Sequence, residues 1–395
     1  MSAGRTGVRA FGADPLQPWS GSIKRLDELD SLRGLAALSV VLYHFKVVWL
    51  DDAVPGWTPH HKGIVNFLLL PVSAGHEAVI LFFVLSGFVL ALPAVNLRPQ
   101  TYRVFVVRRI FRIYFPCVAA LVLGLVASML FYGDVTRSRC LGDFWSSPVD
   151  WNQFGQHLLF LGRFNTDRFD PPVWTLVYEM RISLVFPILC LLALRLRPRR
   201  SLTVAVCGSA IVMIAEDLIP GLDGYQDFLG TLHFAALFVV GIYLARERES
   251  ISEAFSHFSR YKRVAIFAVS ALLYFFGWTA WIDIVSKHTH YAMDLSADWI
   301  TAVGAAGIIV VSLNSGWWRR GLLWWPVHAL GKMSYSVYLL HFIVMLTTIH
   351  ILYGKLPLSV IFLICLVVML AASWMFYLYV EVPCISLGRK LSGYV

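Results

Sequence analysis

Apolar stretches long enough to cross a lipid bilayer recur along the whole chain, and they constrain its fold more than any other feature. A membrane-spanning helix needs about 20 mostly apolar residues. A mean hydropathy of +0.68 and a charged fraction of 14% exclude an ordinary soluble domain. We therefore predict an all-α polytopic membrane protein with about ten transmembrane helices. The predicted spans are residues 30–49, 77–95, 113–132, 174–194, 201–219, 229–245, 262–281, 298–315, 333–352 and 358–380.

Lys and Arg residues concentrate in every second segment between these spans. If the N-terminus is cytoplasmic, the inside segments hold 23 of the 33 basic residues and the outside segments hold 7. Such an excess of basic residues on alternate loops is the positive-inside pattern, and it predicts that both termini lie in the cytoplasm. The net charge of +9 thus predicts contacts with membrane lipids and gives no indication of nucleic acid binding.

The remaining segments suggest a simple domain organisation. We expect a mobile cytoplasmic arm over residues 1–28, one transmembrane domain over 29–384 and a cytoplasmic C-terminal tail over 385–395. The apolar stretch Asn152–Phe164 is too short to cross a bilayer, so we expect a re-entrant or interfacial helix there. The six cysteines imply no disulfide framework, and no paired Cys/His spacing predicts a metal site.

The first predicted span carries two ionisable side chains, Arg33 and His44. They are 11 residues apart, which on a helix returns almost to the same face about 16 Å further along the axis. Ionisable groups inside a membrane are costly and by default indicate a site that faces the bundle interior. The alternative is that Arg33 contacts lipid phosphates while His44 bonds a neighbouring helix. We favour the functional interpretation.

Three arginines precede the third span, at positions 108, 109 and 112, so on a helix Arg108, Arg109 and Arg112 share a broad face. The planar guanidinium gives bidentate, permanently charged contacts to phosphate. The cluster is therefore a candidate cytoplasmic cradle for a phosphate-bearing donor. Its other interpretation is a topology anchor that touches acidic lipids.

The fourth span carries a carboxylate, Glu179, about one turn inside its apolar run. A membrane carboxylate needs a partner, and we expect Glu179 either to orient a histidine of another helix or to act alone in catalysis. The alternative is a structural ion pair between helices. In the second span, Ser86 and Gly87 are small residues that we expect to serve helix packing.

Polar residues at the second, fourth and ninth spans are candidates for lining an acceptor pocket or channel. His76 and Glu77 lie at the outer mouth of the second span. Ser334, Tyr338 and His341 follow at i, i+4 and i+7, which places them in one stripe of the ninth span. Interhelical hydrogen bonding explains such residues equally well. The candidate lining residues are His76, Glu77, Tyr178, Tyr338 and His341.

Taken together, these segments resemble the bacterial membrane acyltransferase 3 family, which includes O-acetyltransferases of exopolysaccharide, O-antigen and related glycans. Six motifs occur in the same order, over about Leu26 to Leu391. They are Leu29 to Ala36 with His44, Phe82 to Phe88, Arg109-Ile-Phe-Arg112, Trp174 to Glu179, Gly331 to His341, and Val380 to Pro383.

The resemblance implies that acyl groups pass from cytoplasmic acyl-CoA to an acceptor on the far side of a bacterial inner membrane. It implies donor-binding and catalytic roles for Arg33, His44, Arg109 and Arg112. One departure concerns the second span, which often begins with a Gly-Val-Asp type sequence in this family but here reads Gly75-His76-Glu77. This difference leaves the acceptor open. Relatives often carry an esterase-like domain after the last span; we expect this transmembrane domain to act alone or with a separate partner.

These observations predict an inner-membrane O-acyltransferase that uses acetyl-CoA or another acyl-CoA and needs no metal. A neutral imidazole is suited to remove the proton of an acceptor hydroxyl near pH 7, and acyl-histidine chemistry stays open. The acceptor would be a glycan, a glycolipid or a small hydroxylated metabolite such as a macrolide, and homo-oligomerisation is left open.

A different class of protein, a transporter or flippase, would also explain the intramembrane charges. A membrane-bound O-acyltransferase of the lipid-modifying type fits the arginine spacing less well.

Overall fold

The computed structural model describes residues 26–52, 58–98, 100–131, 141, 144–145, 148–159, 170–219, 226–285 and 292–394. Within these ranges the regular elements are helices, apart from one isolated bridge between Tyr353 and Leu356. The prediction of an all-α polytopic membrane protein is confirmed. The α-helices are α1 Asp27–Asp52, α2 Pro59–Leu69, α3 Gly75–Val95, α4 Tyr102–Arg109, α5 Phe115–Phe131, α6 Trp151–Leu159, α7 Val173–Arg195, α8 Pro198–Leu218, α9 Gln226–Ser256, α10 Arg260–Val285, α11 Ala292–Asn314, α12 Gly316–Leu322, α13 Trp325–Lys332, α14 Ser334–Leu352, α15 Leu358–Phe376 and α16 Val382–Leu391.

Nine segments of the described chain are long and apolar enough to cross a membrane. Each coincides with one of the ten predicted spans. The other predicted span, residues 262–281, falls on α10, a helix of 26 residues. Hydropathy therefore located the spans well, because a helix whose lateral surface meets lipid must be apolar over the thickness of the bilayer.

The structure describes the two flanking segments to different extents. The predicted arm lies almost entirely outside the described residues, which begin at Leu26. The predicted tail, from residue 385, begins within α16, and Ser392 just beyond this helix accepts a hydrogen bond from Arg108 of α4. The predicted interfacial helix corresponds to α6, Trp151–Leu159, and the rest of that stretch lies outside the described residues.

Two pairs of glycines lie where helices approach to backbone contact. Gly87 of α3 meets Gly241 of α9: a Cβ at Gly87 would lie 2.1 Å from the Phe238 carbonyl oxygen. Gly34 of α1 meets Gly331 of α13, where a Cβ at Gly34 would lie 2.5 Å from the Gly331 nitrogen. Small residues let membrane helices approach to backbone contact. The packing role predicted for Gly87 is confirmed.

Two π-helical turns interrupt the long helices. One, Ile110–Tyr114, joins α4 to α5, and the other, Tyr377–Glu381, joins α15 to α16. A π-helical turn is wider than an α-turn and is frequent at functional sites. Both turns supply residues to one cavity, which brings Arg112 and Glu381 to the same place.

Candidate acyl-transfer site

A main cavity of about 680 Å³ opens at the end of the bundle where α1 begins and α3 ends. Because the arginine-rich segments lie at this end, we call it the basic end. Arg33 and Arg112 line this cavity, and neither makes an ion pair or hydrogen bond within the described chain. The other charged residues that line it are Asp30, Glu179, Lys332, Glu381 and Arg389. Two guanidinium groups with open donors form a site suited to phosphate.

Arg109 is separated from this pair by its own contacts. Its Nη2 donates to Glu179 Oε1 at 2.9 Å and to Ser183 Oγ at 2.8 Å, both on α7. Ser86 of α3 donates to the same Glu179 oxygen at 3.2 Å. Glu179 therefore pairs with an arginine and contacts no histidine among the described residues, contrary to one of the two roles we expected. Ser86 is more than a packing residue, which its sequence position did not reveal.

The three arginines before the third span do reach one space. A side cavity of about 390 Å³ is lined by Arg108, Arg109, Arg112 and Arg33. Their hydrogen bonds nevertheless diverge, since Arg108 Nε donates to Ser392 Oγ at 2.9 Å while Arg109 turns to α7. Arg108 and Arg109 are consecutive residues of α4, so they lie about 100° apart around the helix, which accounts for this divergence.

A narrow space of about 30 Å³ continues from Arg33 and Glu179 towards Tyr338. The Tyr338 hydroxyl lies 2.6 Å from Thr175 Oγ1 and donates to the Pro172 carbonyl at 3.0 Å. Ser334 lines the same space, so two members of the predicted polar stripe face it. At this volume the space excludes a nucleotide, and it must widen to admit even a thin chain.

The third member of the stripe, His341, lies beside His44 of α1. Their ring centroids are 5.1 Å apart, and the ring of Tyr338 is 5.7 Å from that of His341. His44 Nδ1 contacts the Val40 carbonyl at 2.9 Å, and His341 Nδ1 contacts the Tyr338 carbonyl at 2.7 Å. A carbonyl can only accept, so we assign the proton of each neutral ring to Nδ1.

This tautomer leaves the Nε2 lone pair of both imidazoles open. His341 is 1% exposed and its Nε2 has no partner in the described chain. His44 is partly exposed, so it is the more accessible of the two imidazoles. The sequence singled out His44 and His341 on separate spans; the structure brings them together.

His76 and Glu77 belong to a second polar cluster. His76 Nε2 contacts Asp298 Oδ1 at 2.5 Å, and the other oxygen of Asp298 lies 3.2 Å from His233 Nε2. Ser209 Oγ contacts His233 Nδ1 at 2.7 Å. Our sequence reasoning missed Asp298 and His233, although each is an ionisable residue in a predicted span, the signal that drew attention to His44.

Tyr178, a further candidate lining residue, lies in an aromatic cluster. Its ring centroid is 5.0 Å from that of Phe234 and 5.7 Å from that of Trp174. The Arg181 guanidinium lies over its other side at 5.7 Å from the centroid. These contacts assign Tyr178 to the packing of α7 on α9.

Asp170 is another residue that the sequence did not single out. It lies just before α7, is 1% exposed, and neither carboxylate oxygen has a hydrogen-bond partner in the described chain. Burial raises the pKa of this carboxyl well above its ordinary value. Elsewhere in the described ranges, no group of three His, Cys, Asp or Glu residues is arranged to hold a metal ion.

Comparison with known proteins places this site in a family context. The family model described as an acyltransferase domain matches residues 26–378. O-acetyltransferase OatA of Staphylococcus aureus is 23% identical over 395 residues, covering 95% of this chain and 59% of the relative. Peptidoglycan O-acetyltransferase YrhL of Bacillus subtilis is 23% identical over 342 residues, covering 81% of this chain and 49% of the relative.

The chain thus spans between about half and six-tenths of the length of these curated relatives. No solved structure matches it.

Proposed function

Because the chain belongs to the acyltransferase domain family, we propose that it is an inner-membrane O-acyltransferase. It moves an acyl group, acetyl in the first instance, from cytoplasmic acyl-CoA to a hydroxyl of an extracytoplasmic glycan or glycolipid. The basic loops, and with them both termini, face the cytoplasm. The names of both relatives support acetyl transfer to a hydroxyl, and the name of the B. subtilis relative gives peptidoglycan as the acceptor.

One observation carries this proposal: the main cavity at the basic end continues as a narrow space towards the two histidines. CoA carries several negative charges and stays in water, whereas its pantetheine arm is thin and uncharged. Arg33 and Arg112 have open donors for its phosphates. The arm would then point into the space between Glu179 and Tyr338, which holds only about 30 Å³ and must open to admit it.

The chemistry follows from the imidazole tautomers. His44 Nε2 accepts the proton of the acceptor hydroxyl as its oxygen attacks the thioester carbonyl. The C–S bond breaks, the ester forms, and the proton passes from His44 to the departing CoA thiolate. His341 lies behind His44 in an uncharged form, and its ring, 5.1 Å away, helps to hold the catalytic imidazole in place.

The test is transfer from radiolabelled acetyl-CoA by purified protein in proteoliposomes that contain a cell-surface glycan extract. Replacing His44 with Ala should lower transfer by about 100-fold or more, the usual contribution of a general base. Binding of CoA should be largely unchanged because His44 lines neither of the cavities that Arg33 and Arg112 line.

The matched control is His257→Ala, since His257 is exposed just after α9 and lines none of the cavities above. It should leave transfer unchanged. Near-normal transfer by the His44→Ala variant would remove His44 from the mechanism. Acetyl-CoA that is neither bound nor consumed by the wild type, together with movement of a glycan across the membrane, would favour a flippase.

A further inference from the structure

A second cavity lies at the basic end, next to the main cavity. It has a volume of about 560 Å³, and we call it the rim cavity. Its floor is apolar and includes the buried residues Leu92, Leu244 and Ile309. Its polar lining residues are Asn96, Arg98, Arg248, Glu249, Ser252 and Asn314. A flat apolar group could lie on this floor with its charged substituents at the rim.

The rim cavity meets water rather than hydrocarbon. Helix α9 has 31 residues, so it is about 46 Å long, whereas a hydrocarbon core is about 30 Å thick. Arg248 and Ser252 come more than 20 residues after the start of α9, which places them beyond the lipid at the basic end. The Glu249 side chain between them is 88% exposed. A ligand of this cavity therefore binds at the aqueous end of the bundle.

The rim cavity also shares walls with the main cavity. Leu26 and Leu92 line both. Val89 and Pro93 of α3 line the main cavity and not the rim cavity, whereas the reverse holds for Phe88 of α3 and for Asn96 just after it, so the two spaces lie on adjoining faces of one helix. One elongated ligand can therefore occupy both.

Two polar side chains in the rim cavity have open hydrogen-bonding groups. Arg248 Nη2 donates to Asn96 Oδ1 at 2.6 Å and to Glu249 Oε1 at 3.4 Å, while its Nε and Nη1 have no partner among the described residues. Asn314 Nδ2 donates to the Val310 carbonyl at 2.8 Å, which leaves Oδ1 as an acceptor. A purine amino group and a phosphate match these two groups in sign.

We propose that the rim cavity binds the nucleotide of acyl-CoA. Adenine lies on the apolar floor with its amino group towards Asn314, and the 3′-phosphate is bound by Arg248. The diphosphate and the pantetheine arm then continue into the main cavity. This assignment rests on the proposed acyl-CoA dependence and names the part of the protein that distinguishes CoA from smaller thioesters.

The experiment compares binding of CoA, 3′-dephospho-CoA and 4′-phosphopantetheine by calorimetry, with the full chain in neutral-lipid nanodiscs. The wild type should bind CoA about 10- to 100-fold more tightly than 3′-dephospho-CoA, the range for a hydrogen bond to a charged group. Arg248→Gln should bind both with the same affinity. Asn314→Leu should weaken both by a similar factor and leave 4′-phosphopantetheine binding unchanged.

Arg260→Gln is the charge-matched control, because Arg260 is exposed at the start of α10 and lines neither cavity. It should discriminate between the two nucleotides as the wild type does. If Arg248→Gln also keeps that discrimination, or if the wild type shows none, the nucleotide assignment is wrong while acyl-CoA dependence stands. If the wild type binds none of the three compounds, the proposed donor itself is wrong, and the assignment with it.

A last arm separates a nucleotide phosphate from a lipid headgroup. The titrations are repeated in nanodiscs that contain an anionic phospholipid. If that lipid abolishes CoA discrimination in the wild type and Arg248→Gln no longer responds to it, the cavity binds a lipid headgroup and the nucleotide assignment is overturned. Unchanged discrimination in anionic nanodiscs supports the nucleotide.

Discussion

The ion pair between Arg109 and Glu179 gives a quantitative prediction about the stability of the bundle. It joins the end of α4 to the middle of α7 at 2.9 Å, with the two side chains 9% and 13% exposed. At this distance and an effective dielectric constant of about 20, the Coulomb attraction is about 6 kcal/mol. Much of that offsets the cost of burying the charges, so the net value of the pair is smaller.

Removing one partner should cost more than the pair contributes, because it leaves the other charge buried and unpaired. We expect Glu179→Gln and Arg109→Met each to lower the free energy of unfolding by about 3–5 kcal/mol. Arg109 keeps its two hydrogen bonds to Ser183 in the Glu179→Gln variant, which favours the lower end of that range. The double variant should cost less than the sum, with a coupling free energy of about 2–3 kcal/mol.

The assay is reversible unfolding in mixed micelles, titrated with SDS and followed by circular dichroism, for the wild type, both single variants and the double variant. The control cycle uses Arg248 and Glu249, an ion pair at 3.4 Å whose carboxylate is 88% exposed. Its coupling should be below about 1 kcal/mol. If the two cycles give equal couplings, or if the effects at Arg109 and Glu179 are additive, burial of the pair does not couple α4 to α7 and the reasoning fails.

Three further predictions concern packing, pH and sidedness. Gly87→Ala would place a Cβ 2.1 Å from a carbonyl oxygen of α9, so it should lower the free energy of unfolding by about 1–3 kcal/mol in the same assay. Gly208→Ala is the control: a Cβ there has nothing within 4 Å, so the free energy of unfolding should not fall. Asp170→Asn should raise the melting temperature at pH 7 and leave it unchanged at pH 4. Because the pKa of Asp170 is raised in the folded state, its contribution to stability falls as the pH rises above about 4, and the amide does not ionise. Melting temperatures of wild type and variant that coincide at pH 7 but differ at pH 4 would contradict this reasoning. On intact cells, an impermeant maleimide should label Cys140 and spare Cys384 until the membrane is opened, and the reverse pattern would invert the proposed topology.

The fold was predictable because the bilayer imposes a simple rule on sequence. A helix in lipid needs about 20 apolar residues, and this rule located the spans without knowledge of their packing. The rule says nothing about segments that leave the membrane, so it did not predict that α16 lines the main cavity. It also did not predict which helices pack against α3, since helix neighbours depend on surfaces formed by residues far apart in the chain.

The candidate site was predictable only in part. The spacing of Arg33 and His44 placed them on one face of one helix, and a regular helix needs no tertiary information. The partners of Glu179 could not be found in this way, because Arg109 comes 70 residues earlier, on another helix. Asp298 and His233, 65 residues apart, were missed for the same reason.

The π-helical turn at Ile110–Tyr114 also limits which insertions and deletions this protein can accept during evolution. Loss of one residue there, without a change in the width of the turn, would rotate all preceding residues by about 100° relative to α5. That rotation would carry Arg109 away from Glu179, although every residue type in the site would still be present. Single-residue insertions and deletions in this stretch should therefore be purged from descendants of this gene, whereas length variation in the connecting loops is tolerated.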